Sequence, residues 1–223
     1  MMKNLTLIIP AKAEADSLPK VLEEIKEYDC SIIVVMESSD IETINVAKNY
    51  TIKIVYQTSK GYGDALIKGI NNAKTDYLCI FNADGSFDPK YLKHMLYTCE
   101  NNFDFVFASR YLSKGGSDDD TIVTKLGNFI FTKIGNIFFS IKISDILYTF
   151  LLGKTESFKK LNLKSKDFSL CVEMPIKAQR LGMNFTDIAS YERKRIAGVK
   201  KVSEFKDGFK ILIYMVKSFF KII

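Results

Sequence analysis

Short apolar runs at 5–9, 31–36, 52–56, 77–81 and 103–108 divide the first 110 residues, and stretches of helical period fill the gaps between them. The runs are rich in Ile, Val and Phe and do not alternate with polar residues, which marks strands covered on both faces. The gaps at 17–28, 41–49, 63–73 and 89–101 carry apolar residues at helical spacing. Ser17 ahead of Pro19, and Asp88 ahead of Pro89, read as helix starts. Strands that alternate with helices build a mostly parallel, Rossmann-like α/β sheet flanked by helices. Ligands bind such sheets beyond the carboxyl ends of the strands. The segments at those ends, 10–16, 37–40, 57–64 and 82–88, are all polar.

The second half is less regular. Lys125, Asn128, Thr132, Asn136 and Ser140 recur at spacings of three or four, predicting an amphipathic helix over 120–141. A further helix is expected over 168–181 and a strand over 183–190. At 206–223, Lys206, Lys210, Lys217 and Lys221 share one narrow arc of a helix. Ile211, Leu212, Ile213, Met215, Val216, Phe219, Phe220, Ile222 and Ile223 fill the wide opposite one. One domain over 1–203 followed by this amphipathic helix over 204–223 is the expected organisation, with no internal repeat.

Charge is informative once it is located. The net charge is +6, and residues 191–223 hold nine Lys and Arg against three Asp and Glu, so the whole excess lies in that stretch. Such a basic segment suits phosphates or an acidic surface. No RNA-recognition motif accompanies it and its lysines follow helical period, so nucleic acid is not an expected partner. Cys30, Cys79, Cys99 and Cys171 are far apart without CxxC spacing, which argues for reduced thiols and against a zinc site. Residues 1–10 pass straight into a strand-like run and do not read as a signal peptide. No uncharged apolar stretch reaches the length of a transmembrane helix.

The chemistry concentrates at Ile80-Phe81-Asn82-Ala83-Asp84-Gly85-Ser86. An apolar run delivers two hard-oxygen side chains, two residues apart, into a loop, a spacing that suits Mg²⁺ or Mn²⁺ shared with a diphosphate. By itself an Asn-x-Asp loop is more often only an Asx turn. Its surroundings raise its weight. Leu7-Ile8-Ile9-Pro10-Ala11-Lys12-Ala13-Glu14-Ala15 comes first, then Ile33-Val34-Val35-Met36-Glu37-Ser38-Ser39-Asp40, then Gly61-Tyr62-Gly63-Asp64-Ala65-Leu66, and Ser109-Arg110-Tyr111 closes the series. This order resembles glycosyltransferase family 2, the inverting enzymes of the GT-A fold. The later segments around Ser144-Asp145, Glu173 and 191–201 are similar to those of polyprenyl-phosphate (dolichol-phosphate) sugar transferases.

The resemblance implies roles. Pro10, Ala11, Glu14 and Glu37 would frame the base and ribose of a nucleotide-diphosphate sugar, and Asp64 would close that pocket. Asn82 and Asp84 would bind the metal and the donor diphosphate. Arg110 would face phosphate, with Asp145 and Glu173 as further catalytic candidates. Asp119, Arg193, Arg195, Lys200 and Lys201 would form a mobile loop over donor or acceptor phosphates. The sequence departs from the family pattern at Asn82, which replaces an aspartate, at Ser86, at Met36-Glu37 in place of paired aspartates, and at 144–150, which lacks the usual arginine.

The expected activity is therefore inverting transfer of a sugar to a polyprenyl phosphate or a lipid-linked or surface glycan, in cell-envelope glycan biosynthesis. The expected location is cytoplasmic, peripheral on the inner membrane face, with the terminal helix lying at the interface. That helix packed on its own domain, or on a second copy in a homodimer, is the competing arrangement. A nucleotide-sugar-binding protein with weakened catalysis is the alternative function, suggested by Asn82 and Met36. The glycine-poor 10–16 segment argues against a nucleotidyltransferase, and Gly61-Tyr62-Gly63 lacks the third glycine of a dinucleotide fingerprint. His94, the only histidine, sits mid-helix and reads as a surface or packing residue.

Overall fold

The computed structural model describes residues 2–198 and 200–222. Met1, Val199 of the basic loop and Ile223 of the terminal apolar arc lie outside the described residues. A seven-stranded sheet forms the centre, in the order β3-β2-β1-β4-β7-β5-β8. Its strands are β1 Leu5–Ala11, β2 Ser31–Met36, β3 Lys53–Tyr56, β4 Tyr77–Ile80, β5 Phe105–Ser109, β7 Leu151–Lys154 and β8 Phe185–Ala189. Each apolar run of the first half becomes a strand, with ends within two residues of expectation. The parallel pattern is broken by β7, which runs antiparallel between β4 and β5. Sequence reasoning missed this strand, Leu151-Leu152-Gly153-Lys154, in which only the first two residues are large and apolar.

Both faces of the sheet are covered, which is why its strands are apolar throughout. On one face Leu7, Ile9, Val34, Cys79 and Phe81 pack on α1 (Leu18–Ile25), α2 (Ile41–Ala47) and α4 (Leu92–Glu100). On the other, Ile8, Ile33, Val35, Leu78 and Ile80 meet α3 (Tyr62–Asn72), α6 (Thr155–Lys160) and α7 (Leu170–Arg180). Burying one Ile or Leu removes its side chain from water for about 1.5–3 kcal/mol, so these two layers dominate the stability. A small parallel ladder, β6 (Gly116–Ser117) with β9 (Tyr191–Glu192), stands at the sheet's end.

Two long helices complete the chain, α5 (Ile122–Phe139) and α8 (Glu204–Phe219). The helix expected over 120–141 forms, and its polar stripe is the side turned inward. Asn128 and Thr132, from its polar stripe, are buried, whereas Ile122, Leu126, Phe129, Ile130, Ile137 and Phe138 are exposed. The buried amide and hydroxyl serve the backbone of the following loop: Leu147 N–H donates to Asn128 Oδ1 (3.0 Å) and Ile146 N–H to Thr132 Oγ1 (3.2 Å). A buried loop must have its polar groups satisfied, and this requirement turns the helix inside out.

The terminal helix packs on the same domain. Ile211 and Met215 of α8 are buried in the second core layer, and Phe219 meets the rings of Phe138 and Phe139. Its other apolar residues, Phe205, Phe209, Leu212, Ile213, Val216 and Phe220, stay exposed. No described helix is long and apolar enough to cross a membrane.

Candidate active site

The strand order reverses between β1 and β4, and at that point a parallel sheet opens a crevice at its carboxyl edge. A cleft of about 840 Å³ lies there, large enough for a nucleotide sugar. One end of it is built from the strand ends named by the sequence. Pro10, Ala11, Glu14, Glu37, Asn82 and Asp84 all line it. Glu14 is nearly buried and accepts from the Ser17 hydroxyl (2.6 Å), so Ser17, expected to cap α1, turns its side chain to Glu14 instead. Lys201 Nζ lies 3.4 Å from the same carboxylate, and Lys12 pairs with Glu37 at 2.8 Å. The Asp40 carboxylate accepts from Ala13 N–H (2.6 Å), tying the loop after β1 to the start of α2.

At the loop after β4, one oxygen of Asp84 closes an Asx turn, accepting from Ser86 N–H (2.9 Å), and Asn82 Nδ2 donates to Ser86 Oγ (3.5 Å). The other oxygen, Oδ2, lies 3.5 Å from Arg195 Nη1. The basic loop rests directly on this turn: Arg193 N–H donates to Ser86 O and Ile196 N–H to Asp84 O, each at 2.8 Å. Gly85 allows that approach. It has φ +80°, and a Cβ there would come within 2.3 Å of Ile196. Among the described residues no group of three His, Cys, Asp or Glu side chains is arranged to hold a metal ion. Asn82 and Asp84 could supply Mg²⁺ or Mn²⁺ with two hard oxygens, a partial set of the kind that diphosphate oxygens would complete.

The opposite end of the cleft is built around Arg110, just beyond β5. Its side chain is 11% exposed and grips Asp145 through Nε–Oδ2 (2.8 Å) and Nη2–Oδ1 (3.0 Å). Glu192 at 3.1 Å and Asp120 at 3.4 Å complete its shell, and the Tyr148 ring lies 4.5 Å beneath it. Burial opposes the charge of Arg110, and Asp145, Glu192 and Asp120 outweigh that penalty, raising its pKa well above the usual guanidinium range. Burial pushes the Glu192 carboxyl above the ordinary glutamate range against the opposing pull of Arg110 and Ser117. One cation thus stands among three carboxylates.

This corrects several expectations. Arg110 lines the cleft, but its charge is engaged by carboxylates rather than held out to phosphate. Asp145 is sealed beneath Arg110 and does not line the cleft. Glu173 is buried elsewhere, accepting from Lys164 N–H and Ser165 N–H (2.8 Å each) and pairing with Lys177. It holds the 164–167 loop, which crosses Gly61 so closely that a Cβ there would lie 2.1 Å from Lys166 O. Asp64 closes a turn rather than a pocket, accepting from the Thr58 and Ser59 N–H groups at 3.0 and 3.1 Å. Burial opposes its ionisation, yet these bonds outweigh it and hold its pKa below the ordinary aspartate value.

The basic loop divides in two. Arg193 turns away from the cleft to Glu24 of α1 (2.5 and 2.9 Å) and to Phe87 O (2.8 Å), fastening a loop expected to be mobile. Arg195, Lys200 and Lys201 line the cleft, and Arg195 also meets Asp119 at 2.8 Å. His94 is exposed on α4, apart from this lining.

Sequence reasoning missed Glu192 and the apolar wall. Glu192 occupies a two-residue strand inside a basic stretch, a setting with no local signature. The wall consists of Val123, Leu126, Ile130, Phe205, Phe209 and Leu212, where α5 and α8 extend the cleft outward. Its signal was present in the sequence, as the apolar majority of 122–139.

A family model described as Glycosyl transferase family 2 matches residues 6–162. An uncharacterized glycosyltransferase of Mycobacterium bovis is 30% identical over 105 residues, 47% of this chain and 48% of that protein; the same figures hold for one from Mycobacterium tuberculosis. The chain thus spans about half the length of the curated relatives it matches. Among solved structures, the fold is similar to glucosyl-3-phosphoglycerate synthase from Mycobacterium tuberculosis in complex with Mn²⁺, UDP and phosphoglyceric acid. That match has a TM-score of 0.76 at 14% identity and covers 98% of this chain and 78% of the synthase. The synthase bound to Mn²⁺ and UDP-glucose aligns with a TM-score of 0.74 at the same identity, over 98% and 79% of the two chains.

Proposed function

The chain belongs to glycosyl transferase family 2, and from that premise we propose that it transfers a sugar from a nucleotide-diphosphate donor to a lipid-linked acceptor at a membrane surface. One observation carries this reading. A single cleft joins the polar strand ends around Asn82 and Asp84 to an apolar wall on α5 and α8 whose outer residues face water. Ile122 is 86% exposed and Phe205 84% exposed, on adjacent helices that also expose Lys125, Lys206 and Lys217. A contiguous apolar surface of this kind marks an interaction site, and exposed lysines on the same helices suit anionic head groups. A hydrocarbon tail fits the wall while a nucleotide sugar enters from the aqueous side. The protein then works as a peripheral enzyme on the cytoplasmic face, in the assembly of envelope glycans.

In this reading Pro10, Ala11, Glu14 and Glu37 frame the nucleoside, and Asn82 with Asp84 would hold Mg²⁺ or Mn²⁺ against the diphosphate. The ion would neutralise charge growing on the leaving diphosphate. Arg195 and Lys200 supply further positive charge over the same phosphates in a cleft of limited water. The acceptor attacks from the side opposite the leaving group, so the anomeric configuration inverts. The Mn²⁺-bound and UDP-glucose-bound neighbours support the choice of first probes.

The test is binding followed by transfer. Donor at about 100 times its Kd adds about 2.7 kcal/mol of stability, or roughly 5–11 °C in Tm for a chain of this size. UDP-glucose with Mn²⁺ opens a screen of nucleotide sugars. The matched donor is then given with vesicles containing a polyprenyl phosphate or a polyprenyl-diphosphate-linked sugar. Glycosylated lipid supports the proposal. Tight donor binding with neither transfer nor donor hydrolysis favours the binding protein instead, the reading suggested by Asn82 and by Arg195 seated against Asp84.

A further inference from the structure

We propose that Glu192 is the general base of the transfer, and that the acceptor's reacting group is therefore a sugar or lipid hydroxyl rather than a phosphate. The inference rests on reading the cleft as a glycosyl-transfer site and adds the chemical class of its acceptor.

Four other carboxylates stand at or near this end of the cleft; Asp119, Asp120 and Asp145 have both oxygens engaged, and Asp118, bonded on one, lies outside the lining. Asp119 receives Arg195 on Oδ1 (3.4 Å) and Oδ2 (2.8 Å). Asp120 receives Arg110 on Oδ1 and the Tyr111 hydroxyl on Oδ2. Asp145 is gripped by Arg110 on both oxygens and lies off the cleft. Asp118 accepts the Tyr191 hydroxyl (2.6 Å) and lies outside the cleft lining. Glu192 differs. Ser117 Oγ (2.5 Å) and Arg110 Nη1 (3.1 Å) both bind Oε2, and among the described residues Oε1 has no hydrogen-bond partner. Glu192 lines the cleft, and its carboxylate is held through one oxygen while the other makes no hydrogen bond among the described residues.

Two fixed bonds on Oε2 set the direction of Oε1, as a proton acceptor requires. The groups facing Glu192 are Arg110 from just beyond β5, Ser117 from β6, Asp120 from the turn before α5, and Tyr148 from the turn before β7. Burial and Asp120 raise its basicity, while Arg110 and Ser117 restrain it. The same surroundings disfavour an anionic acceptor. The fixed guanidinium at this end is already matched by Asp145, Glu192 and Asp120, so an incoming phosphate meets excess negative charge. An ionised phosphate also needs no base, whereas a hydroxyl does. In the step proposed, the acceptor oxygen forms a bond to the donor's anomeric carbon and its proton passes to Glu192 Oε1. The bond from that carbon to the phosphate oxygen breaks, and the nucleoside diphosphate leaves with the electron pair.

The experiment uses the full chain, the matched nucleotide sugar, Mn²⁺ and two vesicle preparations: one with a polyprenyl phosphate, one with a polyprenyl diphosphate bearing N-acetylglucosamine, which offers hydroxyls. The proposal requires transfer to the hydroxyl acceptor and a fall in kcat of about 10²-fold or more in Glu192→Gln, with nucleotide-diphosphate Kd and Tm near wild type. The kcat of wild type should fall at low pH as Glu192 takes up a proton, and that limb should vanish in Glu192→Gln. Ser117→Ala, which removes a bond favouring the ionised form, should move the limb to higher pH. Transfer to the polyprenyl phosphate, or equal kcat in wild type and Glu192→Gln, overturns the base and leaves the transferase reading standing. If Glu192→Gln proves unstable, an unmoved limb in Ser117→Ala overturns the base by itself. Absence of donor binding in wild type removes the transferase reading, and this inference with it.

Discussion

Replacing Arg110 with Gln tests the architecture of the acceptor end. The guanidinium makes four contacts of 2.8–3.4 Å with Asp145, Glu192 and Asp120, and the Asp145 side chain is fully buried. Deleting one partner of a buried ion pair leaves uncompensated charge and costs about 3–5 kcal/mol. For a chain of this size each kcal/mol lowers Tm by about 2–4 °C, so a drop of roughly 6–20 °C is expected at pH 7. The pH dependence has a definite sign. Burial already holds Glu192 above its unfolded value, and Arg110 is the leading group that pulls it down. Without Arg110 the folded-state pKa rises further, so ionising the group opposes folding more strongly. The deficit of Arg110→Gln is full above that raised value and shrinks as pH falls toward the unfolded value of about 4.3. Calorimetric melts of both proteins across pH 4.5–8, with nucleotide-diphosphate affinity measured alongside, supply the comparison. A wild-type Tm combined with a large loss of nucleotide affinity would refute this account and return Arg110 to the role of phosphate ligand.

Asp84→Ala should abolish metal-dependent donor binding, since Asp84 supplies the one carboxylate of the Asn82–Asp84 pair; titration of Mn²⁺ with and without nucleotide reads this directly. Asn82→Asp should tighten the metal, and unchanged affinity would remove Asn82 from the ligand set. Arg193→Ala should lower Tm, losing about 1–3 kcal/mol with its charged bonds to Glu24, while Arg195→Ala should mainly lower kcat/KM; the opposite assignment in paired melts and rate assays would reverse the division of the loop. Paired Leu126→Glu and Phe209→Glu substitutions on the exposed α5 and α8 faces should abolish co-flotation with anionic liposomes, binding that salt also weakens. A wild-type protein that ignores liposomes would defeat the membrane reading.

The sheet was legible because a strand covered on both faces must be apolar at every position, a demand that Leu7, Ile8 and Ile9 or Val34 and Val35 meet without help from context. Its carboxyl edge was legible for the same reason, since polar residues at 10–16 and 82–88 had nowhere else to go. The sense of α5 was not legible. Periodicity reports which residues share a face, but the loop at 143–147 decides which face is buried, through the partners that Asn128 and Thr132 offer its backbone. Arg110 was misread for a related reason. A fixed cation invites phosphate only if its charge is free, and the carboxylates that bind it come from positions 120, 145 and 192. Those distances along the chain carry no pattern that a local reading can detect.

The two ends of the cleft differ in what they leave unneutralised, and that difference orders the chemistry. At the donor end, Lys12, Lys200 and Lys201 each pair with a single carboxylate, and Asn82 replaces a charged side chain with a neutral one. A diphosphate arriving there meets Asp84 as the lone carboxylate of its turn, so the cost of bringing anions together is lowered before any metal contributes. At the acceptor end the balance is reversed, with Arg110 outnumbered by its carboxylates. Arg195 connects the two, reaching Asp84 at 3.5 Å and Asp119 at 2.8 Å from one planar head. Because Ile196 N–H and Arg193 N–H are bonded to the 84–86 turn itself, this head is carried by the same backbone that presents Asp84. Under the proposed function, the spacing between donor phosphate and acceptor would be set by the turn after β4 rather than by the long side chains of a free loop.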